Sequence, residues 1–226
     1  MADAPDLGSV AFGREGSTPS IRTKMQLGIR EEVFMHWVGL LVAAYIIGSI
    51  PFGLILGKLI WKKDLRRFGS RNVGATNAWR VLGKKAGVLV FILDFLKGQL
   101  GVLLGACIIG TPSAMVLGGL FAVLGHVTSI FAGFRGGKGV ATGLGVLSIL
   151  MPKIMFIVFI VWLILTLLTR YVSVASIVAA ILTPILAAAF HMPAPYFAFA
   201  LAAAVIIVWR HRENLKRLKE GRENKF

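Results

Sequence analysis

Apolar runs of roughly 20 residues recur along this chain from residue 34 onward, and a polypeptide built that way belongs in a bilayer. Hydrophobic residues make up 57% of the 226 and charged residues only 15%. Together these predict an all-α, polytopic integral membrane protein and exclude the soluble classes. The 25 Lys and Arg against 10 Asp and Glu give a net charge of +15. Such a balance can signal nucleic acid, but here the cations sit at the ends of apolar runs. That placement follows the positive-inside pattern and favours anionic lipid or an anionic substrate as partner. No nucleic acid is expected. Cys107 is the single cysteine and lies in an apolar run, so internal disulfides and thiolate metal sites are excluded.

Residues 1–33 carry five acids and four bases. They read as a polar N-terminal extension of loose order, with a short amphipathic end near residues 25–34 and no apolar signal-peptide core. The remainder, 34–226, reads as one transmembrane domain. Its apolar segments fall at 34–60, 86–110, 114–134, 140–150, 154–169, 172–190 and 196–209, the last continuing as a polar helix over 210–225. The segment at 140–150 is only half a span long. Asp94 and Lys97 lie inside the second segment. A charge at mid-membrane costs about 2.5–3.5 kcal/mol on insertion scales, and spacing of i,i+3 lets these two partly neutralise each other.

The cation-rich stretches are 61–85, with eight Lys and Arg, then Arg135 and Lys138, Arg170, and the C-terminal tail. They alternate with cation-poor turns at 111–113, 151–153 and 191–195, Lys153 being the exception. About seven crossings reproduce this alternation, with the N-terminus outside and the C-terminus cytoplasmic. Every polar cluster then falls on the cytoplasmic face, where clusters remote in sequence can share one site.

Three clusters have chemistry to offer. In the stretch 133–145, Arg135 and Lys138 stand among Gly136, Gly137 and Gly139, just before a predicted helix start. Glycines let backbone N–H groups approach a ligand, and a helix N-terminus adds positive potential, which together describe an anion pocket suited to phosphate. A glycine-rich helix junction with two membrane-edge cations fits the same residues. The pattern is not a Walker A loop, since no Ser or Thr follows Lys138. The stretch 68–80 supplies Ser70, Asn72, Thr76, Asn77 and Arg80. Arg80 can hold phosphate bidentately and the amides can hold hydroxyls, although a hydrogen-bonded loop accounts for such a run equally well. In the third cluster His211 and Asn214 share a helix face. His211 is a candidate general base or hydrogen-bond donor, and an interfacial basic helix gripping anionic lipid is the competing reading.

Outside the two tails the only carboxylates are Asp64 and Asp94, too few oxygen ligands for a Mg²⁺ or two-metal phosphoryl site. No His-x4-Asp pair is present, and no metal or cofactor is expected. The features left describe a site that binds phosphate firmly with little acid–base equipment. An acyl phosphate fits: it is an activated anhydride whose leaving group is phosphate, and Lys138, Arg135 and a helix N-terminus would stabilise that group as it departs.

The motifs Gly69-Ser-Arg-Asn-Val-Gly-Ala-Thr-Asn77, Leu93-Asp-Phe-Leu-Lys-Gly98, Phe134-Arg-Gly-Gly-Lys-Gly-Val-Ala-Thr142, Tyr171-Val-Ser173 and His211-Arg-Glu-Asn214 occur in this order. Over residues 38–226 the chain thereby resembles the bacterial acyl-phosphate:glycerol-3-phosphate acyltransferases. The resemblance implies acyl transfer from acyl phosphate to the 1-hydroxyl of glycerol-3-phosphate, giving lysophosphatidate and inorganic phosphate in the first step of phospholipid synthesis. It implies a seven-helix fold in the bacterial inner membrane, an active site on the cytoplasmic side, and the enzyme that forms the acyl phosphate as a candidate partner. By motif, Ser70, Arg80, Lys138, His211 and Asn214 correspond to the critical positions. Gly136, Gly137 and Gly139 shape the phosphate loop, and Glu223 matches a further position. One departure is visible: after Gly125-His126, where the family often carries proline, this chain reads Val-Thr-Ser-Ile130. A transporter of a phosphorylated solute or anionic lipid is the alternative from another class, since such proteins also hold anions at helix N-termini.

Overall fold

A computed structural model describes residues 21–225 of the protein. The expectation for residues 1–20 lies outside the described residues. The chain divides at Met35 into a short N-terminal unit and a main body, His36–Phe226. In the first unit the helix α1 is already under way: it runs Ile21–Ser49, so order begins well before the predicted start at residue 34. The other helices are α2 (Phe52–Leu59), α3 (Ala75–Leu82), α4 (Lys84–Ile108), α5 (Pro112–Val127), α6 (Val140–Leu150), α7 (Pro152–Thr169), α8 (Val172–Ala189), α9 (Ala194–Arg210) and α10 (Arg212–Lys219).

All the apolar segments fold as helices. Among the described residues, five helical spans are long and apolar enough to cross a bilayer, and the pair α9–α10, bent by 50°, makes a sixth if counted as one span. The 11 residues of α6 rise only about 16 Å, roughly half the hydrocarbon thickness. The topology places α6 inside the bundle, against α4, α5 and α7.

Small residues let these helices meet at backbone distance. A Cβ on Gly98 would stand 2.1 Å from the Thr142 carbonyl oxygen, and one on Gly145 would stand 2.0 Å from that of Phe95. Reciprocal glycines thus seat α4 on α6. The apolar core joins Val102 of α4, Val116 and Val123 of α5, Val146 of α6, Ile154 and Val158 of α7 and Phe199 of α9. Outward, Leu167 and Leu168 on α7 are 70% and 77% exposed. In water each would forgo about 1.5–3 kcal/mol of burial, a loss that hydrocarbon removes.

Between α1 and α2 the helix breaks at Pro51, which has no N–H to offer. Lys97 Nζ donates at 2.8 Å to the Ile50 carbonyl, which also accepts from Phe52 N, and lies 2.8 Å from Asp94 Oδ1. The i,i+3 pairing expected of Asp94 and Lys97 is therefore present. It also pins the break, with the ammonium 5.5 Å from the Phe52 ring centroid.

Candidate active site

The loop ahead of α3 is built around one amide. Asn77 is 1% exposed. Its Nδ2 donates to the carbonyls of Leu65 at 3.2 Å, Phe68 at 3.1 Å and Asn72 at 2.8 Å, and its Oδ1 accepts from Ser70 N at 2.9 Å. These bonds engage both the donors and the oxygen of the amide. Asn77, expected from sequence to bind substrate, fastens the loop that presents Ser70 and also lines the cavity. Asn72 Oδ1 likewise accepts from Gly74 N at 2.9 Å, closing the turn into α3. One helical turn after Asn77, Arg80 reaches across to donate through Nη2 to the Asn224 carbonyl at 3.0 Å. Its Nε is buried without a hydrogen-bond partner. Burial lowers the Arg80 guanidinium from its ordinary value, and the Glu223 carboxylate opposes that.

The glycine loop is organised differently from its expected form. Gly136 N donates to Val127 O at 3.2 Å and Gly137 N to His126 O at 3.0 Å, so those N–H groups are spent on the end of α5 and are not aimed at an anion. A Cβ on Gly136 would lie 1.9 Å from the His126 carbonyl oxygen, and one on Gly137 would lie 2.0 Å from His126 Nε2. These glycines make room for His126. The carbonyls of Gly136 and Gly137 accept from Arg210 Nη2 at 3.0 Å and Nε at 3.2 Å. Arg135 is exposed and lies outside the cavity lining, contrary to its expected place beside the leaving group. Gly139 does face the cavity, at φ +85° and ahead of the first turn of α6. Val140 and Ala141 line the cavity with it, and N–H groups at this helix start have no intrahelical acceptor.

Lys138 and the C-terminal cluster complete the polar end. Lys138 Nζ donates to Asn214 Oδ1 at 2.5 Å. Asn214 Nδ2 donates to Glu223 Oε1 at 2.6 Å, which also accepts from Ser173 Oγ at 3.0 Å. Arg217 Nε holds Glu223 Oε2 at 2.8 Å. Burial lowers the Lys138 amine to about 8, with Glu223 opposing and Arg217, Arg80 and Arg210 reinforcing. Burial works against the Glu223 charge, but hydrogen bonds from Asn214, Arg217 and Ser173 outweigh it and hold the carboxyl below its usual range. His211 Nδ1 lies 2.8 Å from the Ile207 carbonyl. A carbonyl oxygen only accepts, so Nδ1 carries the hydrogen and the Nε2 of the neutral ring is an acceptor.

One cavity of about 320 Å³ collects these groups. Its lining includes Ser70, Asn72, Thr76, Asn77, Arg80, Lys138, Gly139, His211, Asn214 and Glu223, drawn from clusters far apart in sequence. From this polar end the cavity continues along an apolar wall of Val88 and Phe91 on α4, Leu144 on α6, and Val158, Phe159 and Trp162 on α7. Asp94 and His126, neither singled out as site residues from sequence, also line it. Their signals, an intramembrane carboxylate and a histidine shortly before the loop, were present but had structural explanations. Arg210 gave no signal, being one cation in a basic run.

The model of the glycerol-3-phosphate acyltransferase family matches residues 38–221. The chain belongs to this family. A glycerol-3-phosphate acyltransferase of Moorella thermoacetica is 46% identical over 190 residues, covering 84% of this chain and 97% of its own length. That of Aquifex aeolicus is 47% identical over 188 residues, covering 83% and 97%. Among solved structures, the integral membrane glycerol 3-phosphate acyltransferase PlsY in its glycerol 3-phosphate form superposes with a TM-score of 0.80 at 46% identity, covering 84% of this chain and 95% of that one. The lysophosphatidic acid form of PlsY superposes with a TM-score of 0.77 at 44% identity and the same coverage. The family's multi-pass membrane architecture is the one described above, and its solved member has been captured with both the acceptor and the acylated product of a glycerol-3-phosphate acyltransferase reaction.

Proposed function

We propose that this glycerol-3-phosphate acyltransferase takes its acyl group from an acyl phosphate and places it on the 1-hydroxyl of glycerol-3-phosphate, releasing lysophosphatidate and inorganic phosphate. The observation that carries the reading is the division of one cavity into a cationic end and an apolar end. Lys138, Arg80 and the start of α6 gather at the first, where departing or bound phosphate needs positive charge and N–H donors. The wall of Phe91, Leu144, Phe159 and Trp162 at the second suits an acyl chain.

The residues divide the work in a definite way. Lys138 stabilises charge on the departing phosphate. Arg80, held only by a backbone carbonyl, exchanges that partner for a substrate phosphate. Asn214 orients Lys138, and Glu223 orients Asn214. His211 offers Nε2 to the glycerol hydroxyl as hydrogen-bond acceptor. Ser70 and Thr76 supply hydroxyls for the acceptor. Catalysis then rests chiefly on positioning and electrostatics. The cation distribution supports a cytoplasmic position for this end of the cavity, with the C-terminus on the same side.

The test is direct. Pure protein in detergent is mixed with acyl phosphate and glycerol-3-phosphate, and free phosphate and lysophosphatidate are followed together; acyl-CoA is supplied in a parallel reaction. Equal yields of the two products from acyl phosphate are expected. Transfer from acyl-CoA alone would sink the donor assignment.

A further inference from the structure

Lys138 is an unusual group to place beside an activated acyl donor, because an amine is itself an acyl acceptor. Lys138 lines the cavity, and its Nζ is fixed by Asn214 Oδ1 at 2.5 Å. That bond consumes an N–H and leaves the lone pair of a neutral amine unengaged. Positively charged neighbours and burial together bring the amine to about 8, so a tenth of it is neutral at about pH 7 and half at about pH 8. An ordinary lysine amine near 10.4 is less than about 1% neutral at pH 8. If Lys138 steadies the bridging oxygen of the leaving phosphate, the carbonyl carbon is bonded to that same oxygen, and attack needs a separation of about 3–3.5 Å. The apolar wall that receives the acyl chain also limits the water that could intercept it.

Resting on the acyl-phosphate reading above, we propose that the cavity supports a second reaction: without an acceptor, Lys138 takes the acyl group itself and becomes an Nε-acyl-lysine. The Nζ lone pair forms the C–N bond to the carbonyl carbon. The bond from that carbon to the phosphate oxygen breaks, and inorganic phosphate leaves with its electron pair. The proton shed by nitrogen passes to solvent. One acyl phosphate is consumed per chain, and the amide formed removes the cation on which turnover depends. Bound glycerol-3-phosphate prevents the reaction because its hydroxyl offers the faster route for the acyl group. Loading the acceptor before the donor is thus protective.

The experiment incubates the full chain in detergent with a long-chain acyl phosphate, with and without glycerol-3-phosphate, at pH 7 and pH 9. Peptide mass spectrometry then locates the adduct, and the same tubes are assayed for lysophosphatidate. The expected result is a single acyl group on the peptide containing Lys138. Its initial rate should rise at least about tenfold between the two pH values, following the neutral fraction of an amine at about 8 or above, and it should be suppressed by excess glycerol-3-phosphate. Lys138→Arg should remove the adduct without creating another in the cavity. Normal lysophosphatidate formation with no adduct at Lys138 overturns the proposal alone. So does labelling spread equally over the loop lysines Lys62, Lys63, Lys84 and Lys85 and indifferent to glycerol-3-phosphate. Failure of acyl phosphate to yield lysophosphatidate overturns the donor assignment, and this proposal with it.

Discussion

Lys138 and Asn214, 76 residues apart in the chain, are joined by a 2.5 Å hydrogen bond from Nζ to Oδ1. The amide turns its other end to Glu223, so it cannot rotate without losing both partners. Removing a preorganised donor to developing charge typically costs a factor of about 10²–10³ in kcat. Lys138→Ala is expected to lose at least that much phosphate release. Asn214→Ala is expected to lose less, about tenfold to a hundredfold, because the amine remains but is no longer aimed. Steady-state phosphate release measures both, and near-normal kcat in Lys138→Ala would remove the lysine from the mechanism.

The same lysine sets an alkaline limit. Burial brings its amine down to about 8, so the charged form required for gripping phosphate prevails below that pH and is lost above it. In the free enzyme kcat/KM should therefore fall about tenfold per pH unit beyond about 8. The kcat limb should lie higher, because bound phosphate favours the ammonium. Lys138→Arg keeps its charge, so whatever activity remains should show no limb near 8. A limb unchanged in that variant would assign it to another group.

Gly136 and Gly137 make a sharper test of what the loop glycines are for. A methyl at 137 meets the end of a side chain, His126 Nε2, while a methyl at 136 meets the His126 carbonyl oxygen. Gly137→Ala should lower thermal stability and activity, and adding His126→Ala should recover part of the stability. The same second substitution should do nothing for Gly136→Ala. Melting temperatures of the two double-mutant cycles decide the matter. Equal rescue in both would show that the ring is not the obstacle.

Asp94 and Lys97 are both nearly inaccessible and 2.8 Å apart. Removing one partner from such a pair leaves a buried charge uncompensated, at about 3–5 kcal/mol. Asp94→Leu and Lys97→Met should each sharply lower the yield of folded protein. The double variant should be less damaged than the sum of the two, and Lys97→Met should be the worse single change because the Ile50 carbonyl also loses its side-chain donor. Additive losses in thermal unfolding would separate the two residues.

Much of this architecture is written in local pattern. Apolar stretches announce the long helices, since hydrocarbon leaves few other ways to satisfy the backbone, while α3 falls between them, in the cation-rich stretch 61–85. Motif spacing places Ser70, Arg80, Lys138, His211 and Asn214 in one family, and the structure brings them to one cavity. The reading falters where side chains compete for the same polar groups. Asn77 has the chemistry of a ligand, but three loop carbonyls reach it first. Arg135 resembles Lys138 in sequence, but the positive-φ backbone at Gly133 and Phe134 precedes a loop in which, of the two cations, Lys138 alone lines the cavity. Arg210 could not be picked out because its partners are carbonyl groups, which every residue carries. That α6 packs against α4, α5 and α7 is likewise not revealed by its apolar composition alone.

Glu223 lies beyond the end of α10 at Lys219, yet it ties together Ser173, Asn214 and Arg217. A nascent polypeptide that has reached Lys219 therefore owns every helix while its pocket is still unlaced. Assembly of the site waits until the ribosome has passed codon 223. A premature stop just ahead of it should yield a chain that inserts into lipid but leaves Asn214, and with it the lysine opposite, without an anchor.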